Sequence, residues 1–149
     1  MPQKITVYLA ADHAGFELKE KIKKFLIDSD YAVKDFGAFS FDPNDDYPDF
    51  VHKAAEAVAN NPEQSRGIVL GGSGQGEAMV ANRYKGARAA VLYKYDEDII
   101  KLSREHNNAN VLAIGARFLK EKDTIKAVKL WLETPFTGEE RHKRRIAKF

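Results

Sequence analysis

The fold of this chain is decided by residues 67–77, which read Gly-Ile-Val-Leu-Gly-Gly-Ser-Gly-Gln-Gly-Glu. Four glycines occupy positions 71 to 76 directly after an apolar run, and a helical stretch from Ala78 to Tyr84 follows them. Glycine reaches backbone conformations with positive φ and lets a ligand approach the main chain closely. The stretch therefore predicts a buried strand, a tight loop and the start of a helix.

The same loop carries a chemical signal. Consecutive amides in such a loop bind anions or a developing oxyanion. A phosphate-binding P-loop carries Lys after its glycines, whereas this loop ends in Glu77 and contains the hydroxyl of Ser73. A carboxylate there would repel phosphate but can take a proton from a carbon next to a carbonyl. The loop thus indicates enolate chemistry; the open alternative is a structural turn whose first-turn Glu is favoured by the helix dipole.

Composition limits the classes of function. The chain has 149 residues, 44% hydrophobic and 31% charged, with a formal net charge of +2. These values are typical of one ordinary globular domain and do not point to nucleic acid or membrane partners. The absence of cysteine excludes disulfides and thiolate catalysis. The N-terminal apolar run at residues 5–11 is too short for a membrane span and lacks a cleavage pattern, so we expect a cytoplasmic protein.

Strands and helices alternate along the sequence. Apolar runs predict strands at residues 5–11, 31–36, 68–70, 87–93 and 111–115. Helical patterns predict helices at residues 14–28, 48–60, 77–84, 96–106, 123–133 and 138–149. This alternation predicts a three-layer α/β fold with a five-stranded parallel sheet and helices on both faces, in the doubly wound strand order 2-1-3-4-5.

In that strand order a crevice opens at the carboxyl ends of the first and third strands. Asp12 and His13 follow the first strand and the glycine loop follows the third. Arg117 follows the fifth strand and lies at the same edge of the sheet. His106 and Asn107 precede the fifth strand, so they start at the opposite edge unless the end of their helix folds back.

Each polar candidate has a structural alternative. Asp12 can cap the following helix, and His13 can be an ordinary residue at a helix start. The pair His106-Asn107 can close a helix, Arg117 can be a solvated loop residue, and Tyr47 can pack beside the proline after it. The four histidines have no carboxylate at the spacing of a zinc site, so we expect neither a metal nor another cofactor.

The C-terminal residues 141–145, Arg-His-Lys-Arg-Arg, form the densest basic cluster of the sequence. Arg141 and Arg145 share one helix face and could grip a phosphate dianion together, since guanidinium groups match phosphate oxygens. A terminal helix reaches outward, so that phosphate could lie in a partner subunit's site. The alternative is a solvated basic tail or a nucleic-acid-binding patch. Against nucleic acid, the rest of the chain is nearly neutral and no aromatic residues alternate with the basic ones.

With these motifs assembled, the sequence resembles the type B ribose-5-phosphate isomerase family, which also includes galactose-6-phosphate isomerase subunits. The resemblance covers nearly the whole chain and is carried by residues 11–15, 46–48, 71–77, 103–111, 115–117 and 141–145. It implies a metal-free aldose–ketose isomerase of Rossmann-like (flavodoxin-like) fold. It also implies a homodimer or a dimer of dimers whose active sites lie between subunits.

The resemblance assigns roles to individual residues. One group of the family uses a cysteine at the position of Gly71, which this chain lacks; the other group has a glutamate at the position of Glu77 as the catalytic base. The positions expected to hold the enediolate or the sugar are Ser73, Gly72, Gly74, Gly76, Tyr47 and Asn107. Asp12 and His106 are expected to open the furanose ring. The positions expected to contact the phosphate are His13, Arg117, Arg141, His142 and Arg145.

The function implied is interconversion of D-ribose 5-phosphate and D-ribulose 5-phosphate through a cis-enediolate. Phosphates of four- or six-carbon sugars remain open as substrates. A module that only binds sugar phosphate is the other alternative, although it has no need for Glu77, Asp12 and His106 together. The expected partners are therefore a small sugar phosphate and further copies of this chain, not nucleic acid or membrane.

Overall fold

The computed structural model describes residues 5–149. The strands are β1 (Thr6–Ala11), β2 (Ala32–Asp35), β3 (Ser65–Gly71), β4 (Ala89–Leu92) and β5 (Val111–Gly115). The helices are α1 (Phe16–Asp28), α2 (Tyr47–Asn60), α3 (Gln75–Ala81), α4 (Glu97–Glu105), α5 (Glu121–Glu133) and α6 (Glu140–Ile146). All predicted elements exist, and most bounds move by one to three residues.

The five strands form one parallel sheet in the order β2-β1-β3-β5-β4. The three-layer α/β class is confirmed, but the predicted order 2-1-3-4-5 is wrong in its last two strands. Every residue of β5 is buried, whereas β4 has four residues of which only Leu92 is fully buried. Both strands are apolar, but β5 is longer and carries the larger side chains, so it gains more from an interior place covered on both faces, and β4 becomes the edge strand.

Two apolar layers cover the sheet. On one face α1, α4 and α5 pack over a cluster that includes Ile22, Leu26, Ile100 and Trp131. On the other face α2 and α3 pack over a cluster rich in small residues, among them Ala54, Ala55, Ala78 and Ala81. The small side chains bring α3 close to the sheet, and with it the glycine loop that precedes α3.

The chain winds outward in two directions from the β1–β3 pair, to β2 on one side and to β5 on the other. The crevice at the carboxyl ends of β1 and β3 is therefore present, as predicted. Gly74 takes a left-handed conformation with φ +80°, and a Cβ there would lie 2.7 Å from the Ala113 carbonyl oxygen. A Cβ at Gly115 would lie 2.7 Å from the Ser73 carbonyl oxygen. Only glycine allows this close contact between the loop and β5.

The amino ends of β4 and β5 are joined by side chains. Asn110 Oδ1 accepts a hydrogen bond from the Arg88 amide at 2.7 Å, and its Nδ2 donates to the Gly86 carbonyl at 2.8 Å. Arg104, at 3% exposure, donates to the carbonyls of Thr134 and Ala109. These bonds fix the segment between α4 and β5 at the amino edge. Among residues 5–149, no helix combines the length and apolar character that crossing a membrane requires.

Candidate active site

Glu77 lies in the first turn of α3 with only 3% of its surface exposed. Its carboxylate lies directly over the Cα of Gly71, because a Cβ built on Gly71 would overlap Glu77 Oε1 and Cδ. A side chain at position 71 and the Glu77 carboxylate therefore compete for one space. In this chain glycine leaves that space to the carboxylate.

The surroundings of Glu77 favour its protonated form. Burial raises the pKa of the Glu77 carboxyl above its ordinary value, and the negative charge of Asp12 acts in the same direction. A hydrogen bond from the residue's own amide opposes the shift. A raised pKa brings a carboxylate closer to neutrality, where a group that both takes and returns a proton works best.

Asp12 follows β1 and is 6% exposed. Its Oδ1 accepts a hydrogen bond from the Ala14 amide at 3.0 Å, and its carbonyl accepts one from the Gly15 amide at 3.1 Å. The alternative of a capping role is wrong, because the N-cap of α1 is Gly15 and no side chain caps that helix; Asp12 closes the turn before it. The turn fixes the Asp12 carboxylate at the end of β1, and its negative charge acts on Glu77.

His13 is held by a residue that the sequence analysis did not select. Asp45 Oδ1 lies 2.7 Å from His13 Nδ1 and accepts a hydrogen bond from the His13 amide at 3.0 Å. The ring of Phe41 meets the imidazole edge to face with centroids 6.1 Å apart. Asp45 belongs to the polar run at residues 43–46, in the loop after β2. The sequence could have indicated Asp45 as a site residue, because this loop follows a strand that ends at the crevice.

Two further predicted residues, Tyr47 and Arg117, contact the glycine loop. A Cβ at Gly76 would overlap the hydroxyl of Tyr47, so Tyr47 reaches the loop and does not merely pack beside its neighbouring proline. The amide of Arg117 donates to the Gly72 carbonyl at 3.1 Å, and a Cβ at Gly72 would lie 3.0 Å from Arg117 Nη1. The observed strand order explains this contact, because β5 lies directly beside β3.

An open cleft of about 430 Å³ lies beside the loop. Its lining residues are Ser73, Gln75, Val91, Tyr93 and Phe118. The volume suits a small organic ligand. Ser73 thus faces a space large enough for a substrate.

The remaining predicted residues form a second group at the amino edge of the sheet. The rings of His106 and His142 stack with centroids 4.1 Å apart and 20° between their planes. Thr137 fixes this arrangement: its amide and its Oγ1 donate to the Glu105 carbonyl at 3.2 and 3.0 Å. Asn107 lines a groove in the protein surface at this edge, together with Ser103 and Ala109.

The second group is cationic and partly exposed. Arg141 and Arg145 lie on α6 and are exposed, while the His142 side chain is buried against its neighbours. Glu139 Oε2 lies 3.6 Å from Arg141 Nη2 and 3.2 Å from His142 Nε2. Burial lowers the pKa of His142, and the nearby His106 and Arg141 act in the same direction.

The predicted residues therefore come together as two groups and not as one. Asp12, His13, Tyr47, the glycine loop with Glu77, and Arg117 form the carboxyl-edge group. His106, Asn107, Arg141, His142 and Arg145 form the amino-edge group. The five residues of β5 lie between them along the strand and span about 16 Å. The end of α4 does not fold back toward the crevice.

Asp12, His13 and Asp45 each offer one atom that could bind a metal, and these atoms lie within 4.8 Å of one another. Sequence spacing did not reveal this group, because its members come from two separate loops. The short contact between His13 Nδ1 and Asp45 already engages two of the three residues. Independence from metals stays a prediction.

Comparisons with known proteins agree on one family. A family model described as Ribose/Galactose Isomerase matches residues 7–149. Ribose-5-phosphate isomerase B of Mycolicibacterium paratuberculosis is 45% identical over 140 residues, covering 94% of this chain and 86% of that protein.

Solved structures agree as well. Ribose-5-phosphate isomerase B from Mycoplasma genitalium, with bound ribulose-5-phosphate, superposes with a TM-score of 0.93 at 40% identity, covering 98% of this chain and 94% of that one. Type B ribose 5-phosphate isomerase from Trypanosoma brucei superposes with a TM-score of 0.89 at 32% identity, covering 98% of this chain and 97% of that one.

Proposed function

Because the chain belongs to the ribose/galactose isomerase family, we propose that it interconverts D-ribose 5-phosphate and D-ribulose 5-phosphate. The observation that carries the proposal is the buried Glu77 carboxylate, with its raised pKa, beside a glycine loop and an open cleft. A protein that only binds sugar phosphate gains nothing from burying a carboxylate whose charge repels the ligand. The arrangement supports proton transfer next to a carbonyl.

Glu77 is the base in this proposal. It takes the proton from C2 of the open-chain aldose, and the C2–H bonding electrons form the C1–C2 double bond while the aldehyde oxygen becomes the enediolate oxygen. Ser73 and the loop amides stabilise that oxygen where its charge develops. A proton then moves from the C2 hydroxyl to O1, and Glu77 returns its proton to C1, which leaves the ketose.

The two residue groups support a site shared between two copies of the chain. One five-carbon substrate cannot touch both edges of a sheet whose interior strand spans about 16 Å. We therefore assign the carboxyl-edge group to one subunit and the amino-edge group to its partner, in a homodimer or a dimer of dimers. His106 then joins Asp12 in ring opening, while Arg141 and Arg145 join Arg117 at the phosphate.

The activity is tested with purified protein and ribose 5-phosphate. We expect ribulose 5-phosphate to form and the C2 proton to exchange with deuterated solvent. Glu77→Gln keeps the size of the side chain but removes the base, so kcat should fall by about 10²–10⁴-fold or more. If the wild-type protein binds ribose 5-phosphate but forms no ribulose 5-phosphate and shows no C2-proton exchange, it only binds sugar phosphate and the proposal is wrong.

Coexpression of two defective subunits tests the shared site. Glu77→Gln and Arg141→Ala chains should each be nearly inactive alone, and a mixed dimer contains one intact site under the proposed division. Random pairing makes about half the dimers mixed, so about a quarter of wild-type activity should return. No recovery in a preparation shown to contain mixed dimers would mean that both residues serve the same subunit.

Substrate preference is a finer question. The family description names both ribose and galactose, so a panel of four-, five- and six-carbon aldose phosphates should be compared by kcat/KM. We expect the five-carbon substrate to be preferred. We also propose that the enzyme works in the cytoplasm, as expected from its cysteine-free composition; cell fractionation would test this.

A further inference from the structure

Asp45 is the most specifically placed polar residue of the crevice without an assigned role. Its side chain is 9% exposed, and a single oxygen, Oδ1, meets both the His13 amide at 3.0 Å and His13 Nδ1 at 2.7 Å. Its other oxygen, Oδ2, is buried without a hydrogen-bond partner among residues 5–149. The loop itself sets this position, because the Asp45 amide donates to the Asp42 carbonyl at 3.2 Å.

The contact decides which nitrogen of His13 carries a proton. A carboxylate oxygen only accepts hydrogen bonds, so Nδ1 is protonated and donates to Asp45. The backbone bond fixes the start of the side chain and the ring bond fixes its end, so the imidazole has one orientation. Nε2 is then the ring nitrogen left for a ligand, as in carboxylate–histidine pairs elsewhere.

We propose that Asp45 is a positioning residue that holds the His13 imidazole so that Nε2–H donates to the phosphate of the substrate. The proposal rests on the proposed function, in which His13 contacts that phosphate. An imidazolium donates from both nitrogens. Between the Asp45 carboxylate and a phosphate dianion it gives each anion one hydrogen bond. Asp45 thus acts on substrate binding through His13 and touches neither the substrate nor the reacting carbons.

Substrate kinetics give the first test. Asp45→Ala should raise KM by about 10–100-fold, by analogy with the loss of the carboxylate partner of a metal-binding histidine. Its kcat should change by less than about threefold, since the reacting groups are untouched. Inhibition by inorganic phosphate should weaken by the same factor as KM rises. Asp45→Asn keeps an acceptor but loses the charge, and should lie between Asp45→Ala and the wild type.

Asp42→Ala is the matched control. Asp42 is in the same loop, carries the same charge and also accepts a backbone hydrogen bond, from Asn44 at 3.0 Å, but it does not contact His13. Its KM and phosphate inhibition should stay near wild type. An equal loss in Asp42→Ala and Asp45→Ala would mean that loop order alone matters, and the proposal would be wrong.

A double mutant separates action through the imidazole from action through the backbone. His13→Ala removes the ring but keeps the residue-13 amide that donates to Asp45. If Asp45 acts through the ring, Asp45→Ala should have little further effect on KM in the His13→Ala protein. A full additional loss there would assign Asp45 to loop structure and overturn the proposal.

Nitrogen-15 NMR of the His13 ring gives a readout that does not require turnover. In the wild-type protein Nδ1 should be protonated and hydrogen-bonded, and this signature should be lost in Asp45→Ala. A neutral ring protonated only at Nε2 in the wild type would overturn the inference. The NMR result tests the role of Asp45 alone. The proposed function is tested separately, by whether the wild-type protein forms ribulose 5-phosphate.

Discussion

Gly71→Ala should inactivate the enzyme although the change adds only one methyl group. The new Cβ would overlap Glu77 Oε1 and Cδ, while real Cβ atoms essentially never approach a neighbour more closely than 3.0 Å. The Glu77 carboxylate must therefore move by more than about 1 Å, and a misplacement of this size at a reacting group costs on the order of 10²-fold in rate. The loss should appear in kcat, because the phosphate contacts are unchanged.

The assay is isomerisation of ribose 5-phosphate at saturating substrate, with unfolding by denaturant measured in parallel. Gly67→Ala is the matched control in the same strand. There a Cβ would meet the methyl groups of Val58 and Val111 at 3.1 and 3.3 Å, far from Glu77. It should lower stability modestly and leave kcat near wild type. In the Glu77→Gln protein, Gly71→Ala should have little further effect on kcat, since both changes act on one carboxylate.

Retention of more than about a tenth of wild-type kcat by a folded Gly71→Ala protein would refute this reasoning, because a displaced base would then cost far less than expected. A further 10²-fold drop in kcat when Gly71→Ala is added to the Glu77→Gln protein would also refute the reasoning. It would show that glycine 71 serves the loop backbone and not the space of the carboxylate.

Three more predictions follow from the same geometry. Folding raises the pKa of Glu77, so the wild-type protein loses stability as the pH rises from the unfolded-state pKa of Glu77 to its folded-state pKa. Glu77→Gln removes this loss, so the free energy of unfolding of the variant should exceed that of the wild type by a margin that grows from acid to neutral pH. A margin that does not change with pH in denaturant unfolding would contradict this. His106→Ala should impair cyclic ribose 5-phosphate more than an acyclic aldose phosphate such as erythrose 4-phosphate, if that is a substrate; equal losses would exclude ring opening as its role. Activity should survive exhaustive EDTA treatment, because His13 Nδ1 is already engaged by Asp45, and a loss restored by a divalent ion would show a metal requirement.

Local patterns were sufficient to predict the elements and the crevice. The glycine run after an apolar strand predicted the loop and its helix, and the family resemblance that it supported is confirmed. The order of β4 and β5 was wrong because chain order was taken as spatial order, although the larger apolar side chains of β5 favoured an interior place over β4. That order matters for the site, since it brings Arg117 beside Gly72.

Contacts between distant loops could not be predicted from local patterns. Asp45 looked like one more polar residue in a turn, and only the folded chain brings it within 2.7 Å of His13, 32 positions earlier. The overlap between position 71 and Glu77 likewise depends on how α3 returns over the end of β3. Periodicity describes which face is buried, whereas these contacts depend on the path of each loop.

The direction of the strands is the reason why we propose a site built from two copies of the chain. In a parallel sheet, residues just before a strand and residues just after it lie at opposite edges. His106 precedes β5 and Arg117 follows it, so no small ligand can touch both within one subunit. If both act on one substrate, as we propose, the His106 group must come from a partner, and a two-fold axis lets each subunit complete the other's site. The stacking of His142 on His106 and the hydrogen bonds of Thr137 then have a clear role. They hold the amino-edge group in place within its own subunit, before it enters the partner's site.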